Sequence, residues 1–199
     1  MAEFSQSGEE AMILEWADRH GRGRWLDLGA YDGETASNSR ALALAGWPGV
    51  AVEPSARPFH RLAAIYADRA DVECVQAAVT AQDGLARFYM TDDMVSTGDE
   101  SNRETWGELA DFIPVYVATV TVGTLLRSFP GPYDMISVDV EGGSLEIARA
   151  LLDHDALAPG GLLCVECEDG GERWEAQQWC LDGFARVGVT PNNLLLEML

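Results

Sequence analysis

The 199-residue sequence predicts a doubly wound α/β fold, built on a mostly parallel seven-stranded sheet whose last strand is antiparallel. Three observations carry that expectation. From residue 24 to residue 79, short apolar runs alternate with amphipathic stretches in the order β-α-β-α-β, the pattern of parallel strands joined by crossover helices. A glycine-bounded loop, LDLGAYDGET at 26–35, lies where the first strand turns into a helix. The last two apolar runs, FARVGV and NLLLEML, are joined by Pro191-Asn192-Asn193, a turn that favours a hairpin and so a reversed final strand.

Residues 1–22 hold an N-terminal helix: Ala11, Met12, Ile13, Leu14 and Trp16 sit among Glu9, Glu10, Glu15, Asp18 and Arg19, and Gly21-Arg22-Gly23 ends it. RWLDLG is the first strand and ASNSRALALAG a helix of small residues. Val50-Ala51-Val52 is the second strand, closed by Glu53. Pro54 and Ser55 open a helix that runs through Tyr66, and a third strand covers 72–79. LARFYM follows the Asp83-Gly84 turn as an extra strand. Between 91 and 113 the chain turns polar and loses its period, so this stretch reads as an insertion near the site. Regular structure resumes with VYVATVTV and the short helix GTLLRSF, stopped by Pro130-Gly131-Pro132. Strand YDMISVDV, helix SLEIARALLDH, strand LLCVE and helix ERWEAQQWCL then lead to the closing pair. A single domain over 1–199 accommodates all of this, because a chain of this length with 47% hydrophobic residues fills one core.

Thirteen basic residues face 33 acidic ones, a formal charge of −20 that repels phosphate backbones and anionic headgroups. Nucleic acid and membrane are therefore poor partners, and Arg22 with Arg24 is too small a patch to change that. No apolar stretch of about 18 residues exists and the start MAEFSQSGEEAM is acidic, so a cytoplasmic location is expected. The cysteines are Cys74, Cys164, Cys167 and Cys180. The C-x-x-C at 164–167 falls in an apolar strand whose alternation points residues three apart to opposite faces, so buried reduced thiols are expected. His20, His60 and His154 are flanked by helical patterns and read as surface or helix-end residues.

In LDLGAYDGET, Gly29 lets backbone approach a ligand and Gly33 permits a tight turn. A dinucleotide site would want G-x-G-x-x-G with helix amides aimed at a pyrophosphate. Here the spacing is G-x-x-x-G, and Asp32 and Glu34 would crowd negative charge where a diphosphate should sit. The same acids suit a ligand carrying an ammonium and a sulfonium, as S-adenosylmethionine does. Glu53, 24 residues beyond Gly29 at the end of the second strand, can accept hydrogen bonds from both ribose hydroxyls.

Taken together, FSQSGEE at 4–10, LDLGAYDGET, VEPS at 52–55, VQAAV at 75–79 and SVDVEG at 137–142 resemble, in order, the motifs of the FkbM family of S-adenosylmethionine-dependent methyltransferases. The resemblance implies a Rossmann-like methyltransferase fold. It implies that Gly29, Tyr31 and Asp32 wrap the methionine end of the cofactor, that Glu53 holds the ribose, and that Gln76 with Ala77 meets the adenine edge. Gln6 closes over the cofactor by the same resemblance, and Asp27, Ala30, Gly33, Pro54 and Asp139 complete the candidate set. Such enzymes mostly methylate oxygen, typically hydroxyls on sugars or polyketide-like compounds.

Methyl transfer is an in-line displacement, so the protein must hold donor and acceptor collinear and keep water away. A hydroxyl acceptor also needs a base or a metal. Asp139 and Glu141, at the carboxyl end of the fourth core strand, are the candidate bases, one strand spacing apart and so on one side. Neighbouring carboxylates repel, which favours proton uptake by one of them. Glu166 and Glu168 could join Asp139 around Mg²⁺, but the expected acid pair followed by asparagine is missing, and no metal is assigned. Ser96, Thr97 and Trp106 in the insertion are candidate substrate contacts. The expected partner is a small-molecule or glycan acceptor; a homodimer is left open. The leading function is O-methylation of a hydroxyl. The alternatives are a methyltransferase-fold binding protein without turnover and an N-methyltransferase of a peptide or amine.

Overall fold

A computed structural model describes residues 3–91, 96–97, 112–167, 178 and 183–199. Its elements in chain order are α1 (Glu9–His20), β1 (Trp25–Leu28), α2 (Arg40–Leu44), β2 (Gly49–Val52), α3 (Ala56–Ile65), β3 (Val72–Val75), β4 (Ala78–Val79), β5 (Gly84–Met90), β6 (Ile113–Val120), α4 (Val122–Ser128), β7 (Tyr133–Val138), α5 (Ser144–Asp153), β8 (Leu157–Glu166), β9 (Phe184–Val189) and β10 (Asn193–Met198). The main sheet has seven strands in the order β3-β2-β1-β7-β8-β10-β9. Strands β3, β2, β1, β7 and β8 run parallel, and β10 lies antiparallel between β8 and β9. The expected sheet, with its reversed last strand, is the observed one.

Every residue of β1 and β2 is buried, as a parallel strand covered on both faces requires. Alternation then sorts the side chains. Leu26, Leu28, Ile136, Val138, Leu163 and Val165 pack with Leu125 of α4 and Leu145, Ala148 and Leu151 of α5. On the opposite face Trp25, Met135, Leu162, Cys164 and Leu195 pack with Ile13 and Trp16 of α1, Leu42 of α2 and Leu62 of α3. Cys164 and Cys167 belong to opposite clusters, and Cys74, Cys164 and Cys167 are free thiols. Among the described residues no helix is long and apolar enough to cross a membrane.

Three expectations are corrected. The single strand over 72–79 is two: β3 closes the edge of the main sheet, and β4 joins β6 and β5 in a separate three-stranded sheet. The break falls at Gln76-Ala77, where the chain passes from one sheet to the other. The helix expected over 36–46 is only α2, because Ala36 has a left-handed φ of 54° and Ser39 is the residue that precedes the helix. Strand β8 begins at Leu157, five residues before the apolar run LLCVE, and its pairing with β7 is irregular between Tyr133 and Met135. The helix expected at 172–181 lies outside the described residues apart from Gln178, as do Trp106, Glu168 and Cys180.

Candidate active site

A cavity of about 1040 Å³ opens above the carboxyl ends of β1, β2, β7 and β8, with Ala86, Phe88 and Val117 of the smaller sheet on its wall. This is the edge of an open α/β sheet where ligands collect. The amides of Gly29 and Ala30 both donate to the Val52 carbonyl, each at 3.0 Å, which bends the chain across the end of β2. Gly29 has φ 86°, and a methyl group added there would lie 1.6 Å from the Asp139 carbonyl oxygen, so only glycine fits. Tyr31 follows in a left-handed conformation, φ 48°, with its amide donating to Glu53 Oε2 at 3.1 Å and the Arg61 guanidinium 5.7 Å over its ring.

Two buried carboxylates lie beneath this loop. Glu53 is 6% exposed, and its Oε1 accepts from the Ser55 amide at 2.6 Å. Burial pushes its pKa up, and the nearby Asp139 adds to that, while the Ser55 and Tyr31 hydrogen bonds oppose it. A carboxylate offers about four acceptor sites, so beyond the Ser55 and Tyr31 bonds Glu53 can still take a hydrogen bond from a ligand's hydroxyl. Asp27 is 3% exposed and accepts from Ser39 Oγ at 2.6 Å. Burial, with a contribution from the charges of Asp139 and Glu53, pushes it up to about 6 against the Ser39 and Ser137 hydrogen bonds. Asp27 pairs in register with Ser137, which accepts from Asn38 Nδ2 at 3.2 Å. Asn38, Ser39 and Ser137 were missed in the sequence. The usable signal was strand alternation, which places Ser137 of β7 beside Asp27 of β1.

On the β7 and β8 side of the cavity Asp139, Glu141 and Glu166 each place a carboxylate oxygen within 4.8 Å of the others. An all-oxygen set of this kind has the chemistry that hard cations accept. Strand alternation does not bring Glu141 there. Strand β7 ends at Val138, and Glu141 turns with φ 53° ahead of the left-handed Gly142 and Gly143. Thr97 Oγ1 donates to the Glu141 carbonyl at 2.6 Å, which ties Thr97 to this turn, and Ser96 lines the cavity. Ser144, at the start of α5, donates to Glu166 Oε2 at 3.0 Å and accepts from the Val140 amide at 3.2 Å.

Of the residues singled out in the sequence, Gln6, Asp27, Gly29, Ala30, Tyr31, Glu53, Pro54, Ala77, Asp139 and Glu141 line the cavity. Asp32, Gly33 and Gln76 do not. The Asp32 carboxylate is occupied within its own loop, accepting from the amides of Glu34 and Thr35 at 3.1 and 2.8 Å and from Thr35 Oγ1 at 3.0 Å. Gly33 packs against α3, where an added methyl group would stand 2.7 Å from Leu62 Cδ1. Gln76 is exposed and borders a smaller neighbouring cavity with Pro54, Met90 and Tyr116.

The fold is shared with solved methyltransferases. A putative caffeoyl-CoA O-methyltransferase from Staphylococcus aureus superimposes with a TM-score of 0.57 at 9% identity, over 99% of this chain and 86% of that one. An rRNA methylase from Streptococcus thermophilus gives 0.53 at 13% identity over 100% and 99%. An SAH-bound methyltransferase from Podospora anserina gives 0.52 at 14% over 96% and 77%. No curated protein matches the sequence. The glycine loop, the buried acid at the end of β2 and an acid-lined cavity fit an adenosyl ligand with a cationic methionine end. Residues 27–155 match the methyltransferase FkbM domain, and with well over half of its length inside that match the chain belongs to the FkbM family of S-adenosylmethionine-dependent methyltransferases.

Proposed function

We propose that the protein is an O-methyltransferase acting on a hydroxyl of a small molecule or sugar, with Asp139 or Glu141 accepting the hydroxyl proton. The observation that carries this reading is the convergence of the Asp139, Glu141 and Glu166 carboxylates on the wall of the same cavity as Gly29 and Glu53. S-adenosylmethionine supplies a methyl group on a positively charged sulfur. The chain's own residues bind, align and shield. The Gly29-Ala30-Tyr31 backbone allows close approach of the methionine end, Glu53 with Pro54 holds the ribose, and Ala77 leaves space at the adenine edge. Asp32 and Gly33 shape the loop. A carboxylate beside the acceptor removes the proton from oxygen as the methyl group arrives, whereas an amine, nucleophilic in its neutral form, needs no strong base. The formal −20 disfavours a phosphate-rich acceptor.

The test combines methyl-tritiated S-adenosylmethionine with a panel of sugars, phenols and amines, run on the wild type, on Asp139→Asn and on Glu141→Gln. The expected result is label on hydroxyl compounds, a loss of about 10²-fold or more in one of the two variants, and cofactor binding in that variant within about two-fold of wild type. Label on amines alone, undiminished in both variants, would favour the N-methyl reading. Cofactor binding with no transfer to any hydroxyl would favour a binding protein.

A further inference from the structure

The wall of the cavity is rich in acids: Asp27, Glu53, Asp139, Glu141, Glu146 and Glu166 line it, while Arg87 is the one cationic lining side chain among the described residues. This suits the ammonium and sulfonium of the cofactor but leaves its methionine carboxylate in need of N–H donors. Arg87 sits on β5 in the smaller sheet, beside β6. On the β8 and β10 side of Gly29, away from Glu53, the wall is completed by two amides from opposite ends of the chain, Gln6 and Asn192. Asn192 Nδ2 donates to Gln6 Oε1 at 2.9 Å, which fixes the orientation of the Gln6 amide and leaves both N–H groups of its Nε2 available.

Both amides are anchored. The Asn192 carbonyl accepts from the Cys167 amide at 2.8 Å, just past β8. Gln6 sits in a segment pinned by Glu9, a carboxylate with no solvent exposure that takes no part in the proposed chemistry. Glu9 Oε2 accepts from the Ser7 amide at 2.8 Å, and Oε1 accepts from Thr190 Oγ1 at 2.5 Å and Asn193 Nδ2 at 3.1 Å. One buried acid therefore joins the segment before α1 to the β9–β10 turn, and each of those segments presents one amide to the cavity. We propose that the Gln6 side chain, held by Asn192 and by the Glu9 pin, donates a hydrogen bond to the carboxylate of the cofactor's methionine moiety.

This inference rests on the placement of the cofactor in the cavity given above, but it needs no acceptor and no turnover. The experiment is calorimetric titration of wild type, Gln6→Ala, Asn192→Ala and the double variant with S-adenosylmethionine and with decarboxylated S-adenosylmethionine, which keeps both cationic groups and lacks the carboxylate. Gln6→Ala should weaken S-adenosylmethionine roughly ten-fold, the magnitude of a lost hydrogen bond to a charged group, and leave the decarboxylated compound unchanged. Asn192→Ala should show a smaller loss of the same selectivity, and the double variant should be no weaker than Gln6→Ala. Equal losses for both compounds would reduce Gln6 to a structural role and overturn the proposal, as would wild-type affinity in Gln6→Ala. Because Gln6 is exposed, melting temperatures of the variants should match wild type. If the wild type binds neither compound, the cofactor placement falls together with the inference; if it binds but transfers no methyl group, only the O-methylation reading falls.

Discussion

An alanine at position 29 would drive its methyl group into the Asp139 carbonyl, a backbone atom that cannot rotate away, at a φ of 86° that an L side chain rarely adopts. Gly29→Ala should therefore lose S-adenosylmethionine binding by calorimetry and lower the free energy of unfolding in urea by about 3 kcal/mol. Gly46, whose added methyl would meet nothing within 4 Å, is the control for left-handed strain alone. Asp27 makes a second prediction at this scale. Its pKa is raised from 3.8 to about 6, chiefly by burial. Between those values the folded protein holds the proton more tightly than the unfolded chain, so Asp27's favourable contribution is complete below about pH 4 and is lost as pH rises through 6. The loss amounts to about 3 kcal/mol, and Asp27→Asn should escape it. In urea denaturation the variant should gain on wild type between pH 4 and pH 7.5; a constant difference would contradict the assignment. Asp27 was legible in the sequence as part of the cofactor loop, but its burial was not, because the hydroxyls of Ser39 and Ser137 that surround it come from separate stretches of chain.

Among the elements, strands with an unbroken apolar run were legible: β1, β2 and β7 stand where Leu26, Val50 and Ile136 predicted them. The change of sheet within 72–79 is not legible, because the apolar residues continue through Val75 and Val79, while sheet membership is decided by partners far away, Val52 for β3 and Val120 for β4. The α2 start was misread for a related reason: Ser37, Asn38 and Ser39 have helical neighbours, yet their side chains are engaged below, Ser39 with Asp27 and Asn38 with Ser137. Strand spacing predicts that Asp139 and Glu141 share one side. They do come together, but through a left-handed turn that a period-two reading cannot show. Ser144 holds that turn to α5 and β8 at once. Ser144→Ala should cost about 1–2 kcal/mol in urea denaturation, because a half-buried amide and a half-buried carboxylate each lose a partner. A loss below about 0.3 kcal/mol would mean that the three elements are held together by apolar packing alone.

For the whole molecule, charge is the property that the sequence alone states completely. A net −20 on 199 residues is self-repelling, and the described ion pairs, such as Arg69 with Asp71 and Arg19 with Glu197, are exposed and weak. Raising NaCl from about 20 to about 500 mM should screen that repulsion and lift the melting temperature by roughly 2–5 °C, whereas a fold dominated by favourable ion pairs would lose stability. The same charge, with Asp139 and Glu141 on the wall, separates this cavity from a dinucleotide site of similar topology. The most direct measurement is a calorimetric titration of the purified protein with S-adenosylmethionine and, separately, with NAD. Micromolar binding of S-adenosylmethionine with none of NAD is the predicted result; binding of NAD, or of neither, would contradict the reading of the Gly29 loop and Glu53 as a cofactor site.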